Sequence, residues 1–89
     1  MHRVVLTEHA QFEIARRGLS EDVVKSVALK PEQVVSSSSG RQVRQSRVQE
    51  SADTLLLRVV VVEEEETLTV ITAYKTSKLA KYWQAEPES

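Results

Sequence analysis

The sequence predicts an α+β fold: two N-terminal helices, an antiparallel meander sheet of three to four strands, and a C-terminal helix. Three observations lead there. Two capped helical segments open the chain, joined across a single glycine. Later segments run apolar or alternate with period two between short polar turns, which implies antiparallel hairpins. Finally, residues 68–83 pass from period two to helical spacing, with Leu79, Tyr82 and Trp83 at i, i+3 and i+4.

In chain order, Val4, Val5 and Leu6 form a short apolar segment, either an edge strand or a lead-in under the first helix. Thr7 is placed to N-cap a helix over residues 8–17, with Glu8 in its first turn where the dipole favours an anion. Ala10 and Ile14, with Phe12 and Ala15 as further candidates, supply its buried face, and Gly18 ends it. Ser20 caps a second helix with Val23, Val24, Val27 and Ala28 as its apolar stripe, and Pro31 stops it. Residues 32–36 give a short strand around Val34 and Val35, and the serine run closed by Gly40 is a turn. Residues 41–50 are a polar strand that sets Arg41, Val43, Gln45 and Arg47 on one face and Arg44, Ser46 and Val48 on the other. Residues 54–62 are apolar on both faces apart from Arg58, as in a central strand covered on both sides for part of its length. The four glutamates at 63–66 read as the next turn, which would set Arg58 opposite Ile71 or Thr72 on the returning strand 67–74. A closing helix over residues 76–84 follows, with Thr76 or Ser77 as its N-cap.

Eighty-nine residues make one small domain, assigned to residues 1–84, with 85–89 as a short acidic tail. With no cysteine there is neither a disulfide framework nor a thiolate zinc site, which fits a reducing cytoplasm. The N-terminal apolar run is too short for a signal peptide, and no stretch approaches the roughly 18 apolar residues of a membrane span. The expectation is a soluble, cytoplasmic chain with no membrane partner. A net charge of −1 gives no overall bias toward nucleic acid. The charge is grouped, however, with Arg41, Arg44 and Arg47 in one basic set and Lys75, Lys78 and Lys81 in another. Each set is either a local basic patch or ordinary solvated surface.

Several residues could carry chemistry. Arg58 in its apolar strand must reach a carboxylate, solvent or a ligand phosphate, because an unpaired buried charge is costly. His9, in the first turn of the first helix, is either an exposed terminal histidine or a neutral imidazole suited to act as base. Tyr74, Lys75, Thr76, Ser77, Lys78, Lys81 and Tyr82 gather hydroxyls, ammonium groups and an aromatic face. They are core packing with a wet lysine face, or they are the parts of a phosphodiester-cleaving site. The histidines and carboxylates have no metal-ligand spacing, no cofactor is expected, and there is no Gly-rich phosphate loop or Gly-x-Ser-x-Gly elbow.

The motifs taken together resemble a family of small bacterial domains of unknown function. They are the Thr-Glu-His-Ala at 7–10, the Arg-Arg-Gly-Leu-Ser at 16–20, the hydrophobic hairpin bearing Arg58, the Thr-Ala-Tyr-Lys-Thr-Ser-Lys at 72–78 and the Lys-Tyr-Trp at 81–83. That family is similar to the RelE/ParE-like toxins of toxin–antitoxin modules, and to the BrnT-type toxins among them. The resemblance implies a RelE-like fold and a metal-independent endoribonuclease neutralised by a small cognate antitoxin, with RNA as substrate. Arg58 and Lys78 would hold the scissile phosphate, His9 or Tyr74 would move the proton, and Thr76 or Ser77 would orient the substrate, with Lys81 and Arg44 as further contacts. The net charge of −1 departs from the strongly basic character of ribosome-dependent toxins. The alternative is a non-catalytic interaction or regulatory module on the same fold. The oligomeric state is left open.

Overall fold

A computed structural model describes residues 2–85 of the chain, so the expected tail lies, apart from Ala85, outside the described residues. The architecture is a five-stranded mixed sheet with two helices on one face. Strand β1 (Arg3–Leu6) precedes the helices α1 (Glu8–Arg16) and α2 (Glu21–Leu29). Strands β2 (Gln33–Ser36), β3 (Arg41–Glu50), β4 (Asp53–Glu64) and β5 (Thr67–Thr76) follow, then a single helical turn α3 (Leu79–Tyr82). The strand order is β1-β5-β4-β3-β2, with β1 parallel to β5 and every other pair antiparallel.

This corrects the expected fold class of two N-terminal helices, an antiparallel three- to four-stranded meander and a C-terminal helix. The segment before the first helix is a strand, and it makes the sheet mixed. Val4 and Leu6 pair with Leu68 and Val70, burying a strip that four residues could not bury alone. The helices therefore lie between the first and second strands, as a hairpin over one face of the sheet. Their boundaries are set locally. Thr7 Oγ1 accepts from Ala10 N (3.0 Å) and Ser20 Oγ from Val23 N (3.3 Å), the side-chain caps that free helix N–H groups need. At the end of α1, Gly18 takes φ +65°, Gly18 N donates to Ala15 O and Leu19 N to Ile14 O. Those two bonds form a Schellman closure, and Leu19 packs against the core beyond it.

The core lies between the helices and one sheet face. Ala10, Ile14, Val24, Val27 and Ala28 meet Leu57, Val59 and Val61 of β4 and Leu68, Val70 and Ala73 of β5. Phe12, a candidate for the same face, is 64% exposed. It stands two positions from both Ala10 and Ile14, which is roughly the opposite side of a helix. Ala15 is exposed as well.

Two further expectations change. Only Glu65 and Glu66 turn the chain; Glu63 and Glu64 extend β4, with Glu64 opposite Thr67. A bulge between Val60 and Val61 then shifts the register by one, so that Arg58 lies opposite Tyr74 rather than Ile71 or Thr72. The closing helix over 76–84 is reduced to one turn. Strand β5 continues to Thr76, whose Oγ1 accepts from Lys78 N instead of capping a helix, and Lys78 is the N-cap with no side-chain bond. Beyond Tyr82 the backbone is extended at Trp83 (ψ 125°), because Gln33 holds Gln84 by its side-chain carbonyl and amide (3.1 and 2.6 Å).

Candidate functional site

The sheet face away from the helices carries the polar chemistry. Side chains alternate across a strand, so Leu57 and Val59 facing the helices send Leu56, Arg58, Val60 and Val62 to the other side. The register arranges this face in four rows. Gln33, Gln45, Arg58 and Tyr74 form one, and Arg47, Leu56 and Thr76 the row beside it. On the other side come Val35, Val43, Val60 and Thr72, then Arg41, Val62, Thr69 and Val5.

Arg58 is the centre of the first row. Its Nε donates to Gln45 Oε1 (2.9 Å) and its Nη1 to the Tyr74 hydroxyl (2.7 Å). The guanidinium also lies 4.1 Å from the centroid of the Tyr82 ring, a cation–π stack. Gln45 is fully buried, and its Nε2 donates to Gln33 Oε1 (2.8 Å) and Tyr82 O (3.1 Å). Every polar atom of that amide is thus engaged, as burial demands. In the adjoining row Arg47 stacks on Trp83 at 4.4 Å and reaches Glu32 through Nη2 (2.9 Å), while Glu32 Oε1 also accepts from Arg47 N (2.7 Å). Those hydrogen bonds from Arg47 hold the Glu32 carboxyl below the usual carboxylate range. The C-terminal segment is therefore pinned over these two rows by side-chain amides and two arginine–aromatic stacks.

The structure gathers some of the candidate residues and separates others. Arg58, Tyr74 and Thr76 share one face and one end of the sheet; Ser77 and Lys78 follow at the strand end, both exposed. Lys81 is exposed on α3, with Nζ 5.1 Å from the Tyr82 ring. His9 and Arg44 stand on the helix side, across the sheet from Arg58. His9 is exposed and lies 3.7 Å from Glu13, whose carboxyl is lowered first by its hydrogen bond from Arg16. Arg44 is buried, and its Nη1 donates to Ala28 O (2.9 Å), satisfying a carbonyl at the C-terminus of α2. Lys75 pairs with Glu50 on the helix side and lines a cleft of about 240 Å³ with Leu19, Val23, Val24, Val48 and Leu57.

Sequence reasoning missed Gln33 and Gln45, which orient Arg58 and anchor the last turn. The available signal was two glutamines within predicted strands, meaningful only once the β2–β3 register is known. It also missed Arg17, whose Nη1 bonds Ala73 O (2.8 Å) and Thr72 Oγ1 (3.1 Å) on the part of β5 beyond its pairing with β1.

Fold and site together define a small mixed-sheet α+β domain with a helix-packed face and an arginine–aromatic face. Residues 6–75 match the family described as Domain of unknown function (DUF4258), and the chain belongs to that family. The match takes in Gln45, Arg58 and Tyr74 and stops before Lys78, Tyr82 and Trp83. Nothing in it links the chain to RelE/ParE-like or BrnT-type toxins. No curated protein and no solved structure matches the chain.

Proposed function

We propose that this domain is a toxin-like, metal-independent endoribonuclease of a toxin–antitoxin module, with its phosphate-handling end at Arg58, Tyr74 and Lys78. The observation that carries the reading is the Arg58–Tyr74 pair. Gln45 and Tyr74 fix two of the guanidinium nitrogens, so the third is presented in a set direction, as stabilisation of a developing phosphorane charge requires. The Tyr74 hydroxyl accepts from Arg58, which leaves its own proton free to donate to a reacting oxygen. Of the two proton carriers considered, Tyr74 is the one on the Arg58 face, so the reading assigns the step to it. Lys78 supplies a second cation at the strand end, and Thr76 or Ser77 orients the substrate.

The test is incubation of the purified chain with single-stranded RNA in excess chelator, alongside induced expression in growing cells. Wild-type protein cleaves the RNA and slows growth, co-expression of the protein encoded beside it restores growth, and Tyr74→Phe lowers cleavage by about 100-fold or more. Intact RNA and unaffected growth with the wild type would overturn the reading.

A second reading, a non-catalytic interaction module, is favoured by a different observation. Arg58 and Arg44 both direct guanidinium nitrogens to protein partners, and Tyr82 covers Arg58. Under that reading Arg58→Ala lowers the melting temperature and leaves every RNA readout at the wild-type baseline.

A further inference from the structure

The open face is only half covered. The C-terminal segment's hydrogen bonds and ring contacts with the sheet all fall on the rows of Arg58 and Leu56. The other two rows, centred on Val60 and Val62, have α1 and α2 on the opposite side of the sheet. Val35, Val60, Val62, Thr69 and Thr72 are partly exposed there, Val5 is 41% exposed and Arg41 is exposed, while Val43 is buried at 7%. A flat stretch of β-branched side chains beside a covered one is an incomplete layer.

The charges at its two ends are opposite and unmatched. Glu64, Glu65 and Glu66 end the uncovered half, all exposed and without a cationic partner among the described residues. Lys78 and Lys81 lie at the other end, exposed and without a carboxylate partner among the described residues. Between them β4 runs nine residues from Leu56 to Glu64, roughly 26 Å at strand rise, and the covered and uncovered halves meet between Arg58 and Val60.

We infer that this face is a two-fold interface with a second copy of the chain, each copy's α3 turn covering the other's uncovered valine rows. A two-fold axis in the interface plane, perpendicular to the strands and passing between the Arg58 and Val60 rows, exchanges the two halves of the face. It brings the uncovered half of one copy under the α3 turn of the other, so that two turns complete one middle layer between the sheets. The same operation sets Lys78 and Lys81 of each copy against residues 64–66 of its partner, twice, as an isologous contact requires. Opposite charge then selects this arrangement over the parallel one, in which glutamates would face glutamates.

Size fixes the strength. Each row crosses four strands, roughly 19 Å, and the two rows are roughly 14 Å deep, about 270 Å² of flat area against the ~800 Å² per partner of a standard interface. The dimer is accordingly a weak, micromolar one that dissociates further as salt screens the two charge contacts. The dimer covers the Arg58 end and engages Lys78, so it competes with the RNA handling proposed above, and sedimentation without RNA tests it separately from that reading.

Sedimentation velocity of the full chain over a micromolar concentration series tests it. The wild type shifts from monomer to dimer with rising concentration. Lys78→Glu/Lys81→Glu and Glu64→Lys/Glu65→Lys, all at exposed positions, each weaken association at least tenfold. Mixing the two variants restores it, because the glutamates introduced at 78 and 81 then face the lysines introduced at 64 and 65, while the native Lys78 and Lys81 face the native Glu64 and Glu65. A wild type that stays monomeric throughout overturns the inference. So does a dimer that neither charge variant weakens, or a mixture that associates no better than its parts.

Discussion

The two faces of this sheet solve the same burial problem by different means. On the helix side, alanine, valine, leucine and isoleucine from α1, α2, β4 and β5 interlock, and the core residues are nearly all below 3% exposed. On the other side, an arginine and a glutamine occupy positions that a sandwich core would fill with leucine. Burial there combines apolar Leu56 and Val43 with a hydrogen-bonded glutamine–arginine network and aromatic rings stacked on the charges. Apolar packing is non-directional and tolerates small shifts. A hydrogen-bonded network fixes one geometry and fails if a member is lost. The helix side should therefore carry most of the stability, and the other side most of the positional precision.

The largest effect tests the first half of that contrast. Leu57 is 2% exposed at the centre of the core. Leu57→Ala should cost about 2–5 kcal/mol in urea denaturation, a large part of the ~5–15 kcal/mol that keeps a domain folded. A cost below that of the polar-face variant described next would break the comparison.

Gln45→Ala comes second. It leaves Arg58 Nε, Gln33 Oε1 and Tyr82 O each without one partner at a partly solvated site, for about 2 kcal/mol. Its signature differs in kind from that of Leu57→Ala. Release of Tyr82 should loosen the last turn, and Trp83, the single tryptophan of the chain, reports it by fluorescence before global unfolding. Leu57→Ala should show one transition by fluorescence and by circular dichroism alike. If Gln45→Ala did too, the C-terminal segment would not be a locally held unit.

What could be read in the sequence follows the range of the interactions involved. Thr7 and Ser20 cap groups three residues away, and the helix starts they predict are the ones observed. The alternation of residues 41–50 likewise assigns Arg44 and Gln45 to opposite faces, because side-chain direction in a strand is a local property. The parallel pairing of β1 with β5 is different: Arg3 meets Thr67, with the helical hairpin and three strands between them in the sequence. No periodicity within Val4, Val5 and Leu6 announces that partner, so the mixed sheet was missed. The position of Arg58 needed both the true turn at Glu65 and the bulge beside Val60, and a two-residue error in the first was compounded by the second. The last turn was misjudged for a related reason. Residues 76–84 have helical spacing, but Gln33 competes for the backbone of Gln84 from another strand and wins. The Arg58–Tyr74 pair was therefore present in the sequence as two candidate residues, without the register that joins them.

The smallest effect concerns pH and the rim of the polar face. Hydrogen bonds from Arg47 depress the Glu32 carboxyl in the folded chain, and Glu13 and Glu63 are lowered too, chiefly by hydrogen bonds from Arg16 and His2 respectively. A carboxyl with a folded pKa below its unfolded value stabilises the fold above the unfolded pKa, near 4.3 for glutamate. That contribution is lost as pH falls through the depressed folded value. Urea midpoints should thus be flat around neutrality and decline in the acid range, below about pH 5. Glu32→Gln should remove only its share of the decline, well under about 1 kcal/mol, since the pair is exposed and screened. The change should be visible in Trp83 fluorescence, because the Arg47 guanidinium that Glu32 orients is the one stacked on that ring. A Glu32→Gln protein whose acid profile and Trp83 signal both matched the wild type would show that the tryptophan, and not the carboxylate, positions Arg47.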